Sequence, residues 1–314
     1  MIVDAHVHLF GPGYFPPAWH AITARRWSVA VLPPRDPQEI LPHIERGLVD
    51  PDGSLLMEEF DRAGIDAGIC LTLDWGLAVS DDSGVSAEDM MRHYAELQEK
   101  LSGRFYAIAG VDPRRPGALD LYERAIREWG LKGLKLYPPC GYFPYDEVCF
   151  PFYEKSLELG VPVYIHTALE PSYPLRPRFA NPLGVADVQL RYPELTIIFA
   201  HSGYPIWAEE AIETARNHPF SYLELANWNF EAAKNPGKVV RLITRMRDAV
   251  GAHRILFGSD HLGGPRFSGE RSILPAWVNF MKNLPEQAPE YGCEFTQAEV
   301  DLILGENAQR LFGL

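Results

Sequence analysis

Short runs of apolar, mostly β-branched or aliphatic residues recur along the chain at 2–8 (IVDAHVH), 67–74 (AGICLTLD), 106–112 (YAIAGVD), 131–137 (LKGLKLY), 161–168 (VPVYIHTA), 195–201 (LTIIFAH), 221–227 (SYLELAN) and 254–260 (RILFGSD). Each has the length of a strand, and their nearly continuous apolar character suits strands covered on both faces. Segments with helical spacing separate them. Met90, Tyr94, Leu97 and Leu101 follow a Ser86-x-x-Asp89 capping box, and Leu121, Tyr122, Ala125, Ile126 and Trp129 precede Gly130. Strand then helix, repeated eight times, predicts an α/β fold with a parallel sheet and helical crossovers. Eight units, with no GxGxxG after the first strand, favour closure into a (β/α)8 TIM barrel over an open doubly wound sheet.

Two stretches depart from the alternation. Residues 10 to 52 are long for a connection and rich in proline and aromatics, including GPGYFPPAWH and VLPPRDP. That composition is too ordered for a flexible linker, and the segment is expected to fold as a lid over the C-terminal mouth of the barrel, a structural wrap being the alternative. A second insertion near 286–295 precedes an extra C-terminal helix that starts at Thr296-x-x-Glu299 and carries NAQRLFGL.

Composition narrows the class. The 314 residues fit one barrel domain over residues 1–314, and 42 acidic against 29 basic residues give a formal net charge of -13. Such a balance speaks against a nucleic-acid or anionic-membrane partner. Four cysteines without a CxxC pair suggest neither a disulfide framework nor a zinc ribbon. With no apolar stretch near the length of a membrane span and no signal-peptide pattern at the N-terminus, a cytoplasmic protein is expected.

The polar residues that end the apolar runs carry the chemistry. His6 and His8 end the first run, His166 the fifth, His201 the sixth and Asp260 the eighth. In a barrel all of these reach the rim where such folds build active sites. One strand-end histidine is commonly a hydrogen-bonded core residue, but four with an aspartate on converging strands point to a metal ion. On strict alternation Asp4 shares the face of His6 and His8. It is expected either to hold a ligand imidazole or to be a buried cap.

The chain resembles the amidohydrolase superfamily, in the amidohydrolase-related branch that also contains aminocarboxymuconate-semialdehyde decarboxylase-like proteins. The resemblance rests on DAHVHLF, FDRAGID, FYEKSLELGVPVYIHTA, LRYPELTIIFAHSG, FGSD and ENAQRLFGL, and covers nearly the whole chain. It implies that His6, His8, His166 and Asp260 bind a divalent metal, one Zn2+ in the first instance with Mn2+ an alternative, and that His201 is a catalytic histidine. Zinc with an open position brings the pKa of a bound water to about 7. Asp260 could accept that water's proton and His201 donate to the oxygen on which charge develops.

Lys135 lies inward on the fourth strand, in phase with Gly133 and Tyr137. It could be an ammonium that binds a substrate carboxylate, a carboxylated lysine bridging two metals as in binuclear superfamily members, or a residue paired within the barrel. The expected substrate is a small anionic molecule held between the metal and Lys135. One of Arg176, Arg178 or Arg266 would assist, with Tyr137 on the pocket wall. Hydrolysis of a small amide, ester or lactone leads, decarboxylation or another lyase reaction comes second, and a non-catalytic barrel third. A homodimer is left open.

Overall fold

All eight apolar runs form strands in the computed structural model, which describes residues 1–80, 83–169 and 173–314. These are β1 (Val3–His8), β2 (Ala67–Leu71), β3 (Phe105–Gly110), β4 (Leu134–Leu136), β5 (Val163–His166), β6 (Ile197–Ala200), β7 (Ser221–Glu224) and β8 (Ile255–Leu256). A ninth short strand, β9 (His261–Leu262), continues the last run. Neighbours in sequence pair in parallel from β1 to β8, and β9 pairs with β1, placing Val7 opposite His261. Ala5 N donates to Phe257 O at 2.9 Å and Asp260 N to His6 O at 2.9 Å. The eighth run therefore meets β7 at its start and β1 at its end, which closes the expected barrel.

Inside the barrel, Val3, Ala5, Ile69, Leu71, Ile108, Tyr164, Ile198 and Leu256 pack as one apolar cluster. Ala308 and Phe312 of the last helix join this cluster beside Tyr106 and Tyr222, and so cover the N-terminal end. The opposite strand faces, including Val7, Cys70, Ala107, Leu134 and Phe199, pack against the surrounding helices. Burial on both sides explains why the runs read as continuous apolar stretches.

β1 breaks the alternation that the sequence suggests. Val3 and Asp4 pair with Ala67 and Gly68, but Val7 pairs with Cys70, so three steps on β1 oppose two on β2. One extra residue is a β-bulge. It lets Val3 and Ala5 face the interior below while His6 and His8 face it above, and Tyr164 Oη donates to the Ala5 carbonyl at 2.7 Å. Asp4 is thereby shifted off the histidines' face. Its Oδ1 accepts from His6 N at 3.2 Å and Ser259 N at 3.0 Å, the capping role of the two expected for it.

Residues 10–52 fold as two helices, α1 (Pro17–Ala30) and α2 (Pro37–Gly47), the second capped by Asp36, which accepts from Gln38 N at 2.9 Å. A bridge between Phe10 and Val49 closes the insertion at its base. α3 (Ser54–Ala63) then leads into β2. The helix at Ala87–Lys100 starts at Ser86, whose side chain accepts from Asp89 N, and Thr296 with Glu299 forms a complete capping box. The C-terminal helix contains a π-turn over Leu302–Glu306. There Gly305 lies so close to Met1 that a Cβ would come within 2.0 Å of the Met1 carbonyl oxygen. Among the described residues no helix is long and apolar enough to cross a membrane, and all four cysteines are free and buried.

Candidate metal centre

Three lone-pair atoms converge at the top of the barrel. His6 Nε2 and His8 Nε2 lie 3.2 Å apart, and Asp260 Oδ1 is 3.4 Å from the first and 3.2 Å from the second. The other ring nitrogens are already engaged. His6 Nδ1 donates to Glu224 Oε2 and His8 Nδ1 to the Leu71 carbonyl, both at 2.9 Å, which assigns the lone pairs to the Nε2 atoms. Three acceptors so close together repel unless positive charge lies among them. Donors bound at 2.0–2.2 Å to one tetrahedral ion stand roughly 3.4 Å from each other. The residues therefore fit a divalent cation.

Burial sets their charge state. It pushes the imidazoles of His6, His166 and His201 well below the ordinary histidine range, helped by the Lys135 charge at His6 and His166 and by neighbouring His166 at His201. Metal ligation requires the neutral form. Among the described residues, buried His166 Nε2 has no hydrogen-bond partner, as suits a nitrogen whose lone pair is directed at an ion. Burial also raises the Glu224 carboxyl to about 8, against the backbone N–H groups of His201 and Ala226 that favour its ionised form. Burial acts the same way on Asp260, but His8, His201 and His6 around it outweigh that effect and hold it low.

The backbone is bent to deliver these groups. Four non-glycine residues have positive φ among those described, His201 (67°), Ser202 (44°), Asn227 (69°) and Asp260 (57°), and all four belong to this site or adjoin it. Such conformations cost about 1–3 kcal/mol each and persist where the surroundings over-determine them. Here the surroundings are visible. Trp228 Nε1 donates to the His201 carbonyl at 2.9 Å, and His201 N donates to Glu224 Oε2 at 2.9 Å. Asn227 Nδ2 reaches Asp260 Oδ2 at 2.8 Å and His201 Nδ1 at 3.3 Å. With Nδ1 as acceptor, His201 carries its proton on Nε2.

Above this floor is a cleft of about 160 Å³ lined by His8, Lys135, His166, His201 and Asp260 below and by Phe10, Phe15, Trp19, Trp75 and Tyr137 on its walls. Phe15 stacks on Trp19 at 4.3 Å and Trp19 on Trp75 at 5.7 Å between ring centroids, so the insertion does roof the mouth. Tyr137 meets His166 edge to face at 4.6 Å. Lys135 is buried in the floor, its Nζ 5.9 Å from the Tyr164 ring.

Of the residues singled out in the sequence, the structure gathers His6, His8, Asp260, His166, His201, Lys135 and Tyr137 around one cleft. His166 does not join His6, His8 and Asp260 within the 4.8 Å span that unites those three. Arg266 is elsewhere. Its backbone is tied to Gly47, its guanidinium lies 4.0 Å over Trp27, and it lines a separate cleft. Neither Arg176 nor Arg178 lines the metal cleft. Two residues were missed, Glu224 and Asn227. Glu224 was accessible in principle, since strand alternation in SYLELAN puts Tyr222 and Glu224 on the inner face of β7. FGSD held a second clue, because a Cβ on Gly258 would come within 1.9 Å of Glu224 Oε1. Asn227 depends on a left-handed turn that no periodicity announces.

The whole architecture is shared with solved structures. 5-Carboxyvanillate decarboxylase from Novosphingobium aromaticivorans, with bound manganese and 3-methoxy-4-hydroxy-5-nitrobenzoic acid, matches with a TM-score of 0.68 and 16% identity over 100% of this chain and 97% of that one. 2,6-Dihydroxybenzoate decarboxylase from Rhizobium gives 0.63 and 17% over 100% and 99%. A probable 2-pyrone-4,6-dicarboxylic acid hydrolase from Acinetobacter baumannii, with citric acid bound, gives 0.60 and 13% over 100% and 99%. At these identities the likeness is one of fold. No curated protein sequence matches the chain. The sequence model of the amidohydrolase family Amidohydro_2 does match, over residues 3–314, and the chain belongs to that family.

Proposed function

We propose that this protein is a metal-dependent decarboxylase of a small, planar carboxylic acid. The observation that carries the proposal is the shape and polarity of the cleft, a polar floor roofed by stacked aromatic rings. An apolar cavity of about 150 Å³ accommodates one benzene ring. Aromatic walls hold a ring and strip water from its carboxylate, which favours loss of carbon dioxide and offers a hydrolytic water little room. The solved relatives support the reading through their own ligands, since two of them are decarboxylases of ring-bearing acids.

In this reading His6, His8 and Asp260 hold the ion, with His166 as the remaining ligand. Zinc suits three imidazoles and a carboxylate, although manganese is the ion named in the decarboxylase from Novosphingobium. The bound ion would supply positive charge for an oxygen of the substrate. Lys135 pairs with the substrate carboxylate, and His201 donates its Nε2 proton in a hydrogen bond to an oxygen on which charge develops. Asp260, steadied by Asn227, relays a proton from solvent to the ring carbon. The bond from that carbon to the carboxylate breaks, its electrons stay on the ring, the proton fills the vacated position and carbon dioxide leaves. Hydrolysis of a lactone or ester of such an acid is the second reading. It is favoured by Asp260 and His201 flanking Asn227 as the acceptor and donor that attack by water requires.

Isotopes separate the two. Metal-replete protein is incubated with a panel of hydroxybenzoic acids and carboxylated lactones in deuterium oxide or in 18O-labelled water. Decarboxylation releases trapped carbon dioxide and leaves one deuterium on the ring carbon. Incorporation of 18O into a product carboxylate without carbon dioxide release would establish hydrolysis instead.

A further inference from the structure

A second cleft, of about 500 Å³, opens on the other side of the end of α2, lined by Trp27, Val31, Arg35, Ile40, His43, Ile44, Arg46, Gly47, Pro265, Arg266 and Arg271. Its chemistry is the reverse of the metal site's. Four arginines surround it in a protein of formal net charge -13, and among the described residues none that lines it is acidic. Arg35 is answered by Glu39 at 3.1 Å, but among the described residues Arg266 and Arg271 make no ion pair. They are close enough that the Arg271 charge, after burial, lowers the pKa of Arg266. Arg266 is half-buried and Arg271 exposed beside it; like charges so placed repel, and an anion between them relieves that repulsion.

The fold holds Arg266 in place. Gly263 N donates to the His8 carbonyl at 2.8 Å and Arg266 N to the Gly47 carbonyl at 2.9 Å. Gly264 (φ 107°) lies so close to the end of α2 that a Cβ would be 2.5 Å from the Leu48 carbonyl carbon. The Arg266 guanidinium then lies 4.0 Å over the ring of Trp27, which is on α1. Val31, Ile40 and Ile44 supply an apolar wall.

The geometry points to a second ligand site, in which a small organic anion with an aromatic or apolar body binds between Arg266 and Arg271 with its body against Trp27, Val31 and Ile40. Such a ligand would bridge the α1–α2 insertion and the loop that follows Asp260. It would do so without entering the metal cleft, from which Leu48 and the end of α2 divide it.

The test uses the full-length, metal-loaded protein and the fluorescent sulfonate 8-anilinonaphthalene-1-sulfonate, whose three rings are too large for a metal cleft of about 160 Å³. Saturable binding at one probe per chain is expected, weakening as salt is raised. The neutral N-phenyl-1-naphthylamine should bind at least tenfold more weakly to the same unmodified protein. The double variant R266Q/R271Q should lose at least tenfold in affinity for the sulfonate while its metal content stays unchanged. Equal binding of the neutral amine, or undiminished sulfonate binding by R266Q/R271Q, would overturn the site. Competition by benzoate but not by inorganic phosphate supports the organic body, whereas equal competition by phosphate would overturn that half of the assignment.

Discussion

The two clefts on either side of the end of α2 take opposite solutions to the same problem. In the metal cleft, histidines and a carboxylate are buried together, burial strips the imidazoles of their protons, and lone pairs are left facing one another. In the arginine cleft, Arg266 and Arg271, which cannot lose their protons, stand half-buried and exposed, with no ion pair among the described residues. One cleft is therefore suited to a cation and the other to an anion. Where like groups crowd together, the depth of burial and the chemistry of the groups decide the sign of the ion that suits them.

The contrast can be broken at its strongest point first. His6→Ala removes an Nε2 from the converging trio and should abolish both retention of the ion and turnover. Elemental analysis showing one metal per chain in this variant would remove the basis of the site. His201→Ala should keep the ion yet lower turnover by roughly 10²-fold or more, as loss of a proton-handling group does. Parallel loss of metal would make His201 a ligand. Glu224→Gln keeps the shape but weakens the acceptor behind His6 Nδ1, and should reduce metal affinity by roughly 10–100-fold in competition with a chelator.

Acid sharpens the same contrast. Unfolded, His6, His166 and His201 take up protons near pH 6.5. Folded, burial keeps them neutral to lower pH. As pH falls below about 6.5 the unfolded chain binds more protons on these three groups than the native one, so their share of the stability of the metal-stripped protein falls; Glu224 and Asp4, which burial raises to about 8 and about 7, take up their protons first in the native state and offset part of that loss above about pH 6. A thermal midpoint that holds constant from pH 7 to pH 5 would contradict their burial as neutral groups. The smallest effect belongs to the other cleft. Arg266→Gln should leave turnover within about twofold of the parent, since its guanidinium lies over Trp27 and outside the metal cleft; a large rise in KM would return it to the substrate.

The barrel was legible because its strands are buried on both faces, and eight apolar runs survive in the sequence as eight strands. Metal-ligand candidates were legible because histidine and aspartate at strand ends have few other reasons to gather. What escaped was set by local backbone geometry. The bulge in β1 moved Asp4 off the face that alternation assigns it, and the left-handed turn at Asn227 put an amide between Asp260 and His201. Arg266 follows a strand-8 loop and looked like a pocket residue for that reason, but Gly264 lets the loop turn onto α2 instead. The helices at Pro17–Ala30 and Pro37–Gly47 were hidden by prolines, of which Pro17 and Pro37 serve as first-turn residues while Pro42 lies inside the second helix.

The closing seam of the barrel also sets an order in time. His6 and His8 are synthesised about 250 residues before their carboxylate partner Asp260, and β9, which completes the seam, follows it. At about 5–20 residues per second, the first strand waits on the order of ten seconds or more for the strand that seals it. Contacts so distant in sequence form late, because the chain entropy of joining its two ends must be met before they reward it. The ion's pocket is thus among the last parts of the molecule to exist, and an ion that binds there acts as a latch on a barrel that has already closed.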